Sequence, residues 1–557
     1  MQSVRSYLRG ALYRAAAAAV PDVNLSEEEI VLERPKKASF GDISTPLALY
    51  LARQLKKAPP VIARSILGHL EWDERYIACD APLESTLVGG FLNFRISTSY
   101  LYATLRQVFE DQHSFGRNQC TEPRTILMEF VSANPTGPMV VVNGRAAAIG
   151  DALARIHAWI GNNVATEYYV NDCGNQIELL GKSVACRYFQ AQGRAAQLPE
   201  GGYAGEYIAD LAREIAAEHP EMAEFADDEV VEFCKREALR KNVASQKRVL
   251  SDYGVKYTNW FHESELHASG KVYEALDTLA QKNLVYEHEA AQWFKSSEYG
   301  DEKDRVLVRG DDSPTYFLAD LAYHAHKADR GFDESYTFWG PDHHGYLPRL
   351  EAAVGVLNPG KTAFHNFIIQ QVNLLRDGKP FRMSKRRGDF VTISDLVNEV
   401  GVDAARYFFL MRKLSSHFDF DLGLAVKKSE ENPVFYVQYA HARTCSLIRH
   451  ALELNFRIDE IEQANLVLLN EPEELDVLRL IAEFPHLLVH VAENAESQRI
   501  TAYLENLASV FHHFYQKHRI VTGNKALSCA RLYLACGIRN LLKVALDLLG
   551  VSAPEKM

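Results

Sequence analysis

The chain has 557 residues, too many for one hydrophobic core, so three or four domains are expected. Its 47% hydrophobic and 24% charged residues are those of a soluble globular protein, and no apolar run reaches the ~18 residues of a membrane helix. A net charge of −12 argues against indiscriminate coating of nucleic acid but leaves room for a local basic groove.

In chain order, the Ala-rich stretch at 15–19 lacks a continuous apolar core and a cleavage site, so no signal peptide is expected. Residues 1–115 mix helix and strand. Leu47 to Leu70 has helical spacing broken at Pro59-Pro60, and Gly89 to Ile96 reads as a glycine turn with a short strand. Residues 116–124 look like a linker. From 125 to about 390 strands alternate with helices. Ile126 to Val131 is a buried strand, and Gly144 to Trp159 an Ala-rich helix with Ile149, Leu153 and Ile156 at helical spacing. Asn163 to Val170 and Ser335 to Trp339 read as strands, and Gln176 to Gln190 as a helix. The alternation predicts a parallel α/β sheet. Residues 193–230, with Pro199-Glu-Gly-Gly-Tyr203, read as an insertion. From about 392 the pattern turns wholly helical. Thr392 and Asp395 have the spacing of a capping box, and Leu541, Leu542, Ala545 and Leu548 form a stripe ended by Gly550. The expected domains are 1–115, 116–391 and 392–557. The eight cysteines are scattered with no Cys-x-x-Cys pair, so neither a zinc site nor a disulfide framework is expected, and a reducing cytoplasm fits.

Two stretches carry chemistry. Glu129-Phe-Val-Ser-Ala-Asn-Pro-Thr-Gly-Pro138 follows a strand, breaks both helix and strand with its prolines and glycine, and leads into a helix start. Strand, tight turn and helix N-terminus form a cradle for nucleotide phosphate. No Gly-x-Gly-x-x-Gly follows the strand, which speaks against a dinucleotide-dependent oxidoreductase. In Asp377-Gly-Lys-Pro-Phe-Arg-Met-Ser-Lys-Arg-Arg-Gly-Asp389, five cations lie between flanking glycines. Such a run reads either as a solvated loop or as mobile charge that neutralises phosphate during nucleotidyl transfer.

Taken with Glu167–Gln176, Thr315–His324, Gly340–Tyr346, Glu399–Arg406, Tyr436–Arg443 and Asp547–Met557, these stretches resemble the arginyl-tRNA synthetases, a class I aminoacyl-tRNA synthetase family. Pro35–Asp42 joins them, so the resemblance spans essentially the whole chain. It implies a Rossmann-type parallel-sheet catalytic domain, an α+β N-terminal domain that contacts tRNA, and an all-α C-terminal anticodon-binding region. It also implies that arginine attacks the α-phosphate of ATP to give arginyl-adenylate, and that the terminal 2′-OH of tRNA(Arg) takes the arginyl group. Mg2+ is expected with the ATP, with no dedicated protein metal site, in a monomeric cytoplasmic enzyme.

The resemblance assigns residues. Lys385 looks like the second lysine of the family's Lys-Met-Ser-Lys-Ser loop, with Arg382 in place of the first and Met383 and Ser384 between them. Pro135, Thr136, Gly137, Asn143 and Gly144 are expected at ATP. Tyr316 and Asp320, four apart, share a helix face. Alone they read as a surface hydrogen bond, and the resemblance makes them guanidinium ligands, since phenols and carboxylates complement that cation. Glu129, Ser132, Asn134, Tyr323 and His343 are expected beside them, and Tyr168, Asn171, Asp172 and Gln176 follow as weaker candidates. Asp342, His343 and His344 lack Cys or His partners at zinc spacing. For RNA, Tyr436, Gln438, Tyr439, His441 and Arg443 combine stacking rings with donors, or else are helix core. Phe91 and Asn93 alternate with Leu92 and Phe94 on a strand, so only one set can face RNA.

One departure stands out. The family continues Pro-Leu-His-x-Gly-His where this chain has Pro138-Met-Val-Val-Val-Asn143. Both histidines and the glycine are replaced, and Asn143 keeps one amide donor. Loss of a charge-stabilising donor costs about 2.7–4 kcal/mol of transition-state stabilisation. Two readings follow: an active enzyme in which Asn143 and Lys385 carry the phosphate chemistry, or a catalytically impaired paralogue that binds tRNA or arginine.

Overall fold

The computed structural model describes residues 2–21, 23–79, 86–376, 378–381 and 391–557. Its centre is a five-stranded sheet whose pairings are all parallel. In spatial order the strands are Ala363–Ile368, Glu334–Trp339, Thr125–Glu129, Asn163–Val170 and Asn259–His262. Numbered along the chain, that order is 5-4-1-2-3, which reverses direction between Thr125–Glu129 and Glu334–Trp339. In open α/β sheets ligands bind at this reversal, beyond the carboxyl ends of the strands. The signature loop leaves the first of these strands and Gly340–Tyr346 the second, so the topology brings together motifs about two hundred residues apart.

The helix after the signature loop runs Val141–Ile160, three residues earlier than its apolar spacing suggests, and Gly161 closes it with φ 112°. Phe130 lies against Gly150 of that helix, where any Cβ would collide with the ring. The expected insertion, 193–230, holds helix Glu206–Glu218 and only the start of helix Asp227–Asp252, and the two pack with Asn175–Ala191 around Leu180, Val184, Ile208, Leu211 and Cys234. Residues 285–308 add a three-stranded antiparallel sheet that the sequence pattern did not reveal.

In the N-terminal region Leu47–Leu55 and Pro59–Gly68 are separate helices, with Pro59 at the first helical position, where its missing N–H costs nothing. Gly89 and Gly90, both at positive φ, join strands Leu87–Val88 and Phe91–Phe94. The apolar cluster of this region closes at Tyr100, short of the expected boundary at 115. Leu101, Leu105 and Val108 belong instead to the main core, which is continuous from the central sheet into the C-terminal helices. The C-terminal region is not wholly helical, because Phe418–Asp421 pairs in parallel with Val372–Arg376 beside the basic loop. The Thr392 capping box forms: its hydroxyl accepts Asp395 N–H at 3.0 Å, and Asp395 accepts Thr392 N–H at 3.1 Å. None of the eight cysteines is paired in a disulfide.

Candidate active site

The signature loop starts in strain. Ser132 N–H bonds Phe130 C=O at 3.1 Å, closing a three-residue turn around Val131, with Val131 at φ 72° and Ser132 at φ 40°. A β-branched residue there is a steric outlier that only its surroundings can hold. Those surroundings are side chains bonded to the loop's own carbonyls. Tyr257 donates to Phe130 O at 2.9 Å, Tyr168 to Ala133 O at 2.9 Å, Gln246 to Asn134 O at 3.2 Å and Asn242 to Pro135 O at 2.8 Å. The last two come from helix Asp227–Asp252, beyond the expected insertion, so that helix helps to shape the loop. Asn134 itself donates to Gln176 Oε1 at 2.8 Å.

At the helix start the free donors are fewer than a bare N-terminus offers. Val141 N–H bonds Val391 O at 3.1 Å, and Asn143 N–H bonds Val140 O at 2.9 Å. Asn143 Oδ1 accepts Val140 N–H at 2.8 Å. Val142 N–H and Asn143 Nδ2 have no hydrogen-bond partner among the described residues, and they are the donors left for an anion. Ile393 N–H returns to Met139 O at 3.0 Å, so the signature segment is paired to the chain leaving the basic loop. The chain entering that loop is fixed by Phe381 N–H to Leu374 O at 2.7 Å and by Arg376 over the Phe381 ring at 3.9 Å. Arg382, Met383, Ser384 and Lys385 lie outside the described residues. Arg145, fully buried without a carboxylate, binds the carbonyls of Gln370, Lys413 and Ser416 at 2.8–2.9 Å, and burial pushes its guanidinium down to about 10.

Across the strand ends, helix Tyr316–Asp329 presents Asp320 to an acid-rich pocket. Burial pushes this carboxyl up to about 7. The Tyr346 hydroxyl that donates to it opposes the shift, while Glu263 and Glu129 add to it. Tyr316, half exposed, lies against Gly174, where a Cβ would stand 2.8 Å from its hydroxyl. An open cavity of about 370 Å³ runs beside it, lined by Gly174, Glu263, His267 and Tyr316 among others. Glu263 is buried, its carboxyl raised chiefly by desolvation, and Asn171, oriented to donate, reaches it at 2.9 Å. Pattern reading missed Glu263 and Tyr346, since isolated residues at helix starts carry no periodic signal. Glu129 is buried too: Ser132 donates to Oε1 at 2.9 Å and Lys327 to Oε2 at 2.5 Å.

Several expected ligands are otherwise engaged. Tyr323 is buried and donates to Glu167 at 2.7 Å, facing the Glu167–Arg330 pair rather than the pocket. Asp172 is held by His262 and Ser264. Gly144 is buried beneath Ile393 and Phe409, and Gly137 lies against the Tyr207 ring, so both glycines answer to protein packing. Pro135 is buried and Thr136 half-buried within the loop. His343 is half-buried against Trp339, ring centroids 5.0 Å apart.

The RNA candidates also divide. Asn93 and Phe94 are core residues, Asn93 donating to Thr86 O at 3.0 Å, and only Phe91 of that strand set is partly exposed. Gln438 and His441 are buried and bound to the C-terminal tail at Ser552 and Pro554. Tyr436, Tyr439 and Arg443 stay half-buried and join His512 and Tyr515, which the sequence reading missed. The Arg443 guanidinium stands 4.9 Å from both the Tyr439 and Tyr515 rings. Among the described residues, a group spaced to hold a cation occurs at Glu471, Glu473 and His518, where Lys517 already pairs with Glu473.

Comparison with known proteins finds the same order of parts. Residues 2–96 match a family model described as the arginyl tRNA synthetase N terminal domain. Residues 104–413 match the catalytic domain of tRNA synthetases class I (R), and 437–557 the DALR anticodon binding domain. The chain is 44% identical to an arginine–tRNA ligase of Desulfosudis oleivorans over 95% of both chains. It is 42% identical to that of Symbiobacterium thermophilum over 100% of both. In fold it is similar to the arginyl-tRNA synthetase of Thermus thermophilus, with a TM-score of 0.77 at 23% identity, over 99% of this chain and 100% of that one.

Proposed function

The chain belongs to the arginyl-tRNA synthetase family, and from that premise we propose how its residues divide the work. The activity is ATP-dependent ligation of arginine to tRNA, and the partners are tRNA, arginine and ATP. Arginine's carboxylate displaces pyrophosphate from the α-phosphate, and the terminal 2′-OH of tRNA(Arg) then takes the arginyl group. Neither step needs a protein nucleophile, so positioning and charge neutralisation dominate.

Asp320 and Tyr316 hold the guanidinium in our reading, and the observation that carries it is the half-buried, acid-rich setting of Asp320, whose carboxyl is raised by desolvation and by the neighbouring Glu263 and Glu129. A cation there relieves repulsion among three carboxylates, and bound arginine returns Asp320 to its charged form. Glu129 and Asn134 take the α-amino and carboxylate end. Val142 N–H and Asn143 Nδ2 meet phosphate oxygens, and Lys385 and Arg382, with Met383 and Ser384 between them in sequence, are assigned by the family resemblance to neutralising the leaving pyrophosphate. Mg2+ enters as the counter-ion of ATP. The free groups at the helix start are N–H donors, suited to phosphate oxygens and not to a cation, so no residue of this chain is assigned to the metal. The remaining aromatic–cation cluster around Arg443 reads the anticodon loop, and Phe91 meets the tRNA corner. We take the chain as a monomer, and the cysteines, none in a disulfide, fit a reducing cytoplasm.

The test is charging of tRNA(Arg) with radiolabelled arginine by the purified full chain. Arginine- and ATP-dependent product is expected. Retained tRNA binding without charging would return the impaired-paralogue reading that Val140-Val-Val-Asn143 raises.

A further inference from the structure

We propose that Lys327 is a positioning residue of the arginine site, holding Glu129 and, through Glu129 and Ser132, the strained turn that opens the signature loop. The proposal rests on the assignment of Glu129 and Asp320 to arginine.

Lys327 is fully buried, and its ammonium donates to Glu129 Oε2 at 2.5 Å and to Thr337 Oγ1 at 3.1 Å. It also stands 4.4 Å from the Tyr323 ring. Glu129 Oε1 accepts the Ser132 hydroxyl at 2.9 Å, and Ser132 Oγ accepts Tyr169 N–H at 3.1 Å. One unbroken chain of bonds therefore joins strands Thr125–Glu129, Asn163–Val170 and Glu334–Trp339 at their carboxyl ends. It includes Ser132, one of the turn's two residues at positive φ. A turn of that kind persists only where its neighbours over-determine it, and this network is what touches its side chain.

Lys327 also lies on the helix that carries Tyr316 and Asp320, eleven and seven residues on, along one stripe. It thus couples the helix assigned to the guanidinium with the loop assigned to the other end of the substrate. Stability alone is a poor reason for the pair, because a buried ion pair is often no better than packed apolar side chains. The pair also leaves each Glu129 oxygen a further lone pair for a substrate donor. Lys327 has an electrostatic effect on Asp320 as well. The groups facing Asp320 are Tyr346, Tyr169, Glu263, Glu129 and, on its own helix, Lys327, and the ammonium favours the charged carboxylate.

The experiment measures charging kinetics of the full chain between about pH 6 and 9, bracketing Asp320. For Lys327→Met we expect arginine KM to rise at least ~10-fold, with ATP and tRNA KM within about twofold. The acid limb of kcat/KM for arginine moves to higher pH, and Lys327→Arg, which keeps the charge, returns it. A folded Lys327→Met with wild-type arginine KM and acid limb overturns the proposal. So does a variant in which all three KM values rise together while the limb stays in place. Asp320→Asn runs alongside. If it leaves arginine KM unchanged, the arginine-site assignment fails, whereas if it raises KM and Lys327→Met does not, the role of Lys327 alone fails. If Lys327→Met does not fold, Thr337→Val removes one Nζ partner without stranding a charge. A rise of ~2–5-fold in arginine KM alone supports the role and an unchanged KM overturns it.

Discussion

Asn143 Oδ1 accepts the backbone N–H of Val140 at 2.8 Å, so the residue in the family's second histidine position caps the helix that it opens. Its oxygen is fixed by that bond, which aims the Nδ2 group away from the backbone. One amide thereby closes the helix end and presents a donor.

The two roles are separable. Asn143→Ala removes both and is expected to lower kcat by ~100–1,000-fold, with about 1 kcal/mol lost from stability. Asn143→Asp keeps the acceptor that caps Val140 but replaces the donor with a charge that repels phosphate. It is expected to keep the melting temperature of the wild type and lose activity as Asn143→Ala does. Single-turnover adenylate formation with tRNA present, alongside thermal melting, checks both. An active Asn143→Asp would show that Nδ2 does not meet phosphate.

Asp320 gives a pH prediction. Its carboxyl is pushed up to about 7, so in the free enzyme the charged form is lost as pH falls through neutrality. Because kcat/KM reports the free enzyme, kcat/KM for arginine should fall below an apparent pKa near 7, while kcat at saturating arginine holds to lower pH. The Tyr346 hydroxyl stabilises the charged carboxylate. Tyr346→Phe should therefore shift the limb of kcat/KM to higher pH. A limb that stays in place would show that Asp320 does not set it.

Much of this fold is legible from spacing. The central strands, the signature helix and the Thr392 capping box have strong local causes: apolar runs, proline and glycine breaks, and a polar pair three residues apart. Edge strands Asn259–His262 and Ala363–Ile368 are less legible, because short runs such as Asn-Trp-Phe-His lack alternation and owe their extended form to the neighbouring strand. The site was legible as motifs but not as partnerships. Nothing in the sequence ties Glu129 to Lys327, 198 positions away, or shows that Tyr323 turns toward Glu167. Gln438 and His441 look like RNA-reading donors by type, yet the chain's own tail occupies them.

That division predicts two classes of RNA-region variant. Tyr439→Ala and Arg443→Ala remove parts of the half-buried cluster and should raise tRNA KM, at about 1–3 kcal/mol per lost stacking contact, with arginine KM unchanged. Gln438→Ala and His441→Ala should instead lower the melting temperature and leave tRNA affinity near wild type at moderate temperature. Filter binding and thermal melting on the four variants separate the classes. Loss of tRNA affinity in a stably folded His441→Ala would place that residue at the RNA.

The signature helix is tied to the chain's far end by a second buried cation. Arg406, with no exposed surface, donates to Asp151 on that helix, to Leu549 O at 3.0 Å and to Tyr253 O at 3.3 Å. Gly550 follows at φ 66°, where a Cβ would collide with the guanidinium, and Ser552 N–H then bonds Asp403 at 2.9 Å. The tail thus lies across helix Val402–Leu410, and glycine is demanded there twice, by conformation and by space. Arg406→Met strands three buried acceptors, although Arg155 retains a 2.8 Å contact with Asp151. The expected cost is about 3–5 kcal/mol, that of breaking a buried pair from one side. Gly550→Ala should cost about 1–3 kcal/mol by forcing a strained φ and displacing the guanidinium. Because the Gly550 Cβ would displace the same guanidinium that Arg406→Met removes, the double variant should cost less than the sum of the two single variants. Chemical denaturation of the three variants measures this, and full additivity would show that the tail and the signature helix are held independently.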